Sequence, residues 1–115
     1  MAKNAGKMPR PGRAVRGSRS GRPIMAAINL MGQRWILRIV WELRDRPLNF
    51  RALQKACDGL SPSVLNQRLT DLRQAQIVEL DPSQGYRLTK LGGELLEKLQ
   101  PLQRWAEKWS KAVDA

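Results

Sequence analysis

Between Asn49 and Tyr86 the apolar positions change their spacing, and the changes mark out the best-defined plan in the chain. Leu65, Leu69 and Leu72 fall at i, i+4 and i+7, a single apolar stripe on a helix. Ser61-Pro62 opens that helix. A Ser hydroxyl caps free N–H groups, and Pro at the first helical position loses no bond and has φ preset. The helix is expected from Pro62 to about Gln76. Ahead of it Asn49, an N-cap type, opens a shorter helix over Phe50 to Cys57, which Asp58-Gly59 ends in a turn. Behind it Ile77-Val78-Glu79-Leu80 alternates as a strand. Asp81-Pro82-Ser83-Gln84 then has Asp and Pro where a type I turn favours them, and Gly85 eases the return into Tyr86-Arg87-Leu88. Thr89 caps a closing helix.

These elements predict a mainly α fold with a small β-hairpin wing, the plan of a winged helix-turn-helix. Two further apolar segments flank it. Trp35 to Leu43 is apolar on nearly every side, with charges confined to Arg38 and Glu42, and reads as a buried helix. Its aromatic side chains could alternatively line a ligand pocket. After the hairpin, Leu95, Leu99, Leu102, Ala106, Trp109 and Val113 step by four and three, the spacing of a helix seam against another helix. Either the helix folds onto its own core, or the seam is a dimer interface made with the helix from Pro23 to Leu30. The second reading is preferred, and gives Ile24, Ile28, Leu95, Leu99, Leu102, Trp105 and Trp109 as interface residues. Pro101 interrupts the seam, so a kink or break is expected near Lys98 to Gln100.

The outer face of the Pro62 helix is polar. Ser63, Asn66, Gln67 and Thr70 share it, and Asn or Gln can bond adenine N6 and N7 together. Arg68 and Arg73 flank that face within reach of phosphates.

Charge strengthens the nucleic-acid reading. The 115 residues carry a formal net charge of +11, from 21 basic and 10 acidic side chains. Lys3, Lys7, Arg10, Arg13, Arg16, Arg19 and Arg22 precede the first acid, so everything after residue 22 holds 21 − 7 = 14 bases against 10 acids, a surplus of +4. Residues 1–22 therefore form a basic arm, and their Gly and Pro content argues for disorder in the free protein. From Lys7 onward the cations recur every third residue, which an extended polyproline-like segment would align along one edge. Such an edge suits phosphates or a minor groove; a solubilising tail, or more weakly a transit peptide, would also explain the composition.

Other chemistry is poorly supplied. Histidine is absent and Cys57 is the single cysteine, so His-dependent acid-base catalysis, an intrachain disulfide and a thiolate metal cluster are excluded. No cofactor, no metal and no enzymatic activity are expected. No apolar run spans a bilayer and no signal-peptide pattern begins the chain, so a cytoplasmic, nucleoid-associated protein without a membrane partner is expected.

Several motifs together resemble the HxlR-type winged-helix regulators of bacteria. Pro23-Ile24, Gly32-Gln33-Arg34-Trp35, Pro47 to Leu53 and Leu65-Asn66-Gln67-Arg68-Leu69 stand in that family's order and approximate spacing. Leu88-Thr89-Lys90-Leu91-Gly92 and Trp105 continue the match, which covers about Arg22 to Trp109 and so the domain from residue 23 to 115. The resemblance implies a dimeric transcription regulator, a repressor or an activator, binding double-stranded DNA. Candidate DNA contacts are Arg34, Arg51, Ser61, Pro62, Ser63, Asn66, Gln67, Arg68, Thr70, Arg73, Arg87 and Lys90, with Arg10, Arg13, Arg16, Arg19 and Arg22 of the arm. A homodimeric repressor on a palindromic operator is the first reading, and a nonspecific architectural or RNA-binding protein the second. A small-molecule effector is compatible with the pattern but not indicated by it.

Two departures from the family matter. Some members sense oxidants through a Cys directly before the Pro-Ile pair, where this chain has Arg22, so that mode is expected to be absent. Cys57 reads as a small buried hydrophobe, since nothing basic adjoins it in sequence. The wing is short and carries Asp81 at its tip, which counts against a groove contact there.

Overall fold

A computed structural model describes residue 11 and residues 21–114. The elements run α1 (Pro23–Met31), α2 (Ile36–Glu42), α3 (Phe50–Ala56), α4 (Pro62–Gln74), β1 (Val78–Asp81), β2 (Gly85–Leu88) and α5 (Lys90–Asp114). The expected caps are made. Asn49 Oδ1 accepts from the Ala52 N–H at 2.8 Å, Ser61 Oγ from Val64 at 3.3 Å, and Thr89 Oγ1 from Gly92 at 3.0 Å. Each satisfies a donor that the first turn of a helix leaves over.

The core is where the periodicity put it. Leu65, Leu69 and Leu72 of α4 meet Ile36, Ile39 and Val40 of α2, Leu53 of α3 and Val78 of β1, each almost fully buried. Burying such a side chain stabilises the fold by roughly 1.5–3 kcal/mol. The segment Trp35 to Leu43 is thus core, with Trp35 and Trp41 half-buried at its edge. Trp35 itself has φ +79°, a left-handed conformation that turns the chain from α1 into α2.

The hairpin pairs Val78 with Leu88, Leu80 with Tyr86 and Asp81 with Gly85. A third extended residue joins it, because Leu48 exchanges both backbone hydrogen bonds with Tyr86, at 2.8 and 2.9 Å. Gly85, at φ +105°, lies where a Cβ would come within 2.6 Å of the Leu48 carbonyl, so the wing stays anchored to the segment before α3. Gly92 allows α5 to start against the Ile77 backbone, where a Cβ would overlap the Ile77 carbonyl oxygen.

Two expectations need correction. The recognition-type helix α4 ends at Gln74, and the chain reverses through Gln76, at φ +63°, so β1 begins one residue later than expected. Nor does Pro101 break the last helix: α5 is continuous from Lys90 to Asp114 with Pro101 inside it. Proline removes one bond, to the Glu97 carbonyl. Both residues lie on exposed helix, where water can take that carbonyl, and the flanking Leu, Gln, Arg, Glu, Lys and Ala residues are strong helix formers.

Candidate nucleic-acid interface

Helix α4 is divided cleanly by its sequence. With Leu65, Leu69 and Leu72 in the core, Ser61, Pro62, Ser63, Asn66, Gln67, Thr70 and Arg73 are all exposed. Pro62 and the capped Ser61 place the start of the helix at a free surface, and Ser63 Oγ lies 3.3 Å from Ser61 Oγ. Asn66 is exposed. Thr70 turns its hydroxyl back to the Asn66 carbonyl at 2.9 Å.

Not every cation of the candidate surface is equally available. Arg68 is partly buried and tied inward: its Nε donates to the Arg34 carbonyl at 2.9 Å and one terminal nitrogen lies 3.3 Å from Asp71 Oδ2. Arg87 is held on the wing between Glu79, at 2.7 Å, and Asp81, at 3.2 Å, and both carboxylates keep its guanidinium above its ordinary value. The wing tip is acidic for a structural reason. Asp81 accepts from the Ser83 hydroxyl and N–H, both at 2.8 Å, and from the Gln84 N–H at 3.0 Å; these bonds hold its carboxyl below the usual range. Of the other candidate cations, Arg34, Arg51, Arg73 and Lys90 are exposed. The Arg34 guanidinium lies 5.7 Å from the Trp35 ring centroid. Arg22 is exposed before α1, while Arg10, Arg13, Arg16 and Arg19 lie outside the described residues.

Sequence reasoning missed Asp71, which is buried to 4 % exposure. Gln67 Nε2 donates to its Oδ1 at 3.0 Å, while Arg68 takes Oδ2. The available signal was spacing, since Gln67 and Arg68 stand four and three residues before Asp71 on one helix.

A second exposed surface is apolar. Every residue from Pro101 to Asp114 is exposed, so the reading in which all of α5 folds onto its own core fails for this half. Leu95 and Leu99 pack on the core, whereas Leu102, Trp105, Trp109 and Val113 do not. Trp105 and Trp109 stack with centroids 6.0 Å apart and planes within 5°. On α1, Ile24 and Ile28 are likewise more than half exposed. A groove of about 730 Å³ runs between α1, Ile77 and the start of α5, lined by Ala27, Leu30, Met31, Leu91 and Leu95 among others. The aromatic residues of the Trp35 to Leu43 segment do not line it; Trp41 instead carries the Arg44 guanidinium 4.6 Å from its ring centroid. Cys57 is fully buried, and burial pushes its thiol up, against the opposing pull of Arg38.

The same architecture is found in known regulators. Residues 30–114 match the model of the HxlR-like helix-turn-helix family. The chain is 32% identical over 95 residues to the HTH-type transcriptional regulator YodB of Bacillus subtilis, covering 77% of this chain and 85% of that one. The structure of quinone-bound YodB superposes with a TM-score of 0.68 at 33% identity, over 74% of this chain and 96% of that one. A possible HxlR family transcriptional factor from Thermoplasma volcanium superposes with a TM-score of 0.69 at 25% identity, over 77% of this chain and 85% of that one. With a winged helix-turn-helix, a polar helix face set opposite a leucine core, and these relatives, the chain belongs to the HxlR-like family of helix-turn-helix transcriptional regulators.

Proposed function

We propose that the protein represses transcription by binding a palindromic operator as a homodimer, with α4 in the major groove of each half-site. The observation that carries this reading is the division of α4: its apolar side is fully consumed by the core, and its outer side offers Asn66, Gln67, Ser63 and Thr70 to a partner. Amide side chains of this kind read adenine edges, and the exposed Arg34, Arg51, Arg73 and Lys90 are assigned to phosphates. Arg68 and Arg87 are engaged in ion pairs of the protein's own, Arg68 with Asp71 on α4 and Arg87 with Glu79 and Asp81 on the wing surface. The uncovered apolar stripe of α5 with Ile24 and Ile28 of α1 supports the dimer, since a two-fold dimer sets two reading helices about one helical turn apart. Among the described residues no helix is long and apolar enough to cross a membrane.

Selection of bound duplexes from a random pool tests the reading. The expected product is an inverted repeat with half-site centres about 10 base pairs apart. A single unrepeated site would contradict the dimer, and absence of any enriched sequence would favour the nonspecific architectural reading. A reporter placed under the recovered site should fall when the protein is expressed; a rise would make it an activator. The arm adds nonspecific affinity in this scheme. Removing residues 1–21 should flatten the salt dependence of binding by about 0.9 in slope for each phosphate that the arm neutralises. An unchanged slope would make the arm a solubilising tail. Oxidant sensing through a Cys before the Pro-Ile pair is not part of this proposal, since Arg22 stands before Pro23-Ile24 and Cys57 is buried with its thiol pushed up.

A further inference from the structure

We infer that Asp71 is a positioning residue that sets which base Gln67 reads. The inference rests on the proposed placement of α4 in the major groove and adds a residue that never touches DNA. Asp71 is, among the described residues, the buried charged side chain, and both of its oxygens are used. Oδ2 faces Arg68 and Oδ1 faces the amide of Gln67 one turn earlier.

A carboxylate paired with Arg68 can only accept, so it fixes the Gln67 amide with nitrogen inward. One of the two Nε2 hydrogens is committed to Asp71. The other, with Oε1, is left toward the exposed face, which is the acceptor-plus-donor pair that adenine N6–H and N7 require. An unpinned amide could turn over and present either end. Arg68 completes the device from the far side, because its Nε bond to the Arg34 carbonyl ties the same carboxylate to the turn between α1 and α2.

Asp71→Asn reverses the logic at constant shape. Asn has one oxygen, and the charged Arg68 claims it, since charge-assisted hydrogen bonds are the stronger ones. Its Nδ2 then faces Gln67 and can only donate, which turns Gln67 over to put Oε1 inward and Nε2 outward. An outward donor suits the N7 and O6 acceptors of guanine rather than adenine.

Selection from a random duplex pool with wild type, Asp71→Asn, Gln67→Ala and the double variant decides the matter. Wild type should prefer adenine at one position of each half-site by roughly five- to one-hundred-fold over other bases. Asp71→Asn should move that preference to guanine. Gln67→Ala should abolish it, and Asp71→Asn should have no further effect on it in the Gln67→Ala background. Retained adenine preference in Asp71→Asn, or a shift that persists without Gln67, would overturn the proposal. A Gln67→Ala variant that selects the same bases as wild type would instead show that Gln67 is no reader. Should Asp71→Asn not fold, side-chain amide ¹⁵N relaxation of the wild type decides: Gln67 should be as ordered as its backbone, against a mobile Gln74. Equal mobility of the two would refute the pinning.

Discussion

Helix α4 and the second half of α5 are both amphipathic, yet the chain finishes one and leaves the other open. In α4 the leucines at 65, 69 and 72 are within 1 % of complete burial, and what remains outside is polar. From Pro101 onward α5 has the same kind of stripe, but Leu102, Trp105, Trp109 and Val113 are 49 to 64 % exposed. A single copy therefore explains the apolar face of α4 and not that of α5. Large exposed apolar patches mark interaction sites. In the proposed reading, the polar face of one helix and the apolar face of the other are the two surfaces on which this protein meets DNA and a second copy of itself.

If that contrast is right, a charge placed in the α5 stripe should act on assembly and leave the fold intact. Trp109→Glu is expected to convert dimer to monomer in sedimentation, since an unpaired charge buried in an apolar seam costs about 3–5 kcal/mol. Its helical circular dichroism should persist, because Trp109 is exposed in a single copy and stacks on Trp105 of its own helix. An unchanged mass would move the interface elsewhere.

The converse substitution sharpens the comparison from the other side. Leu69→Ala empties a core position and should lower unfolding free energy by about 2–5 kcal/mol. Denaturant unfolding at a concentration held constant measures it. A cost near zero would mean that α4 is not the keystone of this core.

The difference between the two helices also decides what could be read from the sequence. Elements whose ends carry their own chemistry were legible: Asn49, Ser61-Pro62 and Thr89 cap where they stand, and the leucine spacing of α4 names its buried face. The break that Pro101 could have caused does not occur, because a proline's cost depends on whether the freed carbonyl can be hydrated, which local sequence does not state. Asp71 was hidden for a related reason. It sits between Leu69 and Leu72, and its spacing from Gln67 and Arg68 permits contacts that the folded helix shows are both made. Likewise the pairing of Leu48 with Tyr86 is a contact across 38 residues that no local pattern encodes.

The wing should respond to acid. Asp81 has its carboxyl held below the usual range by Ser83 and Gln84, so its contribution is complete above the unfolded carboxylate value near 3.9. That contribution is lost as pH falls through the lower folded-state value. The protection of the Ser83 and Gln84 amides, corrected for the intrinsic exchange rate, should fall over that interval before protection is lost in α4. Simultaneous loss of both would mean that acid opens the domain as one unit rather than at the wing.

The polar face of α4 gives the most direct test of all. Asn66→Ala leaves the core, the caps and the α5 stripe untouched, so its effect on DNA reports reading alone. Binding of wild type and variant should be compared at one salt concentration on the selected operator and on a random duplex of equal length. The variant should lose about 1–3 kcal/mol on the operator and almost nothing on the random duplex. Equal losses on the two would show that α4 merely positions the protein, and would contradict the assignment of this helix as the one that reads sequence.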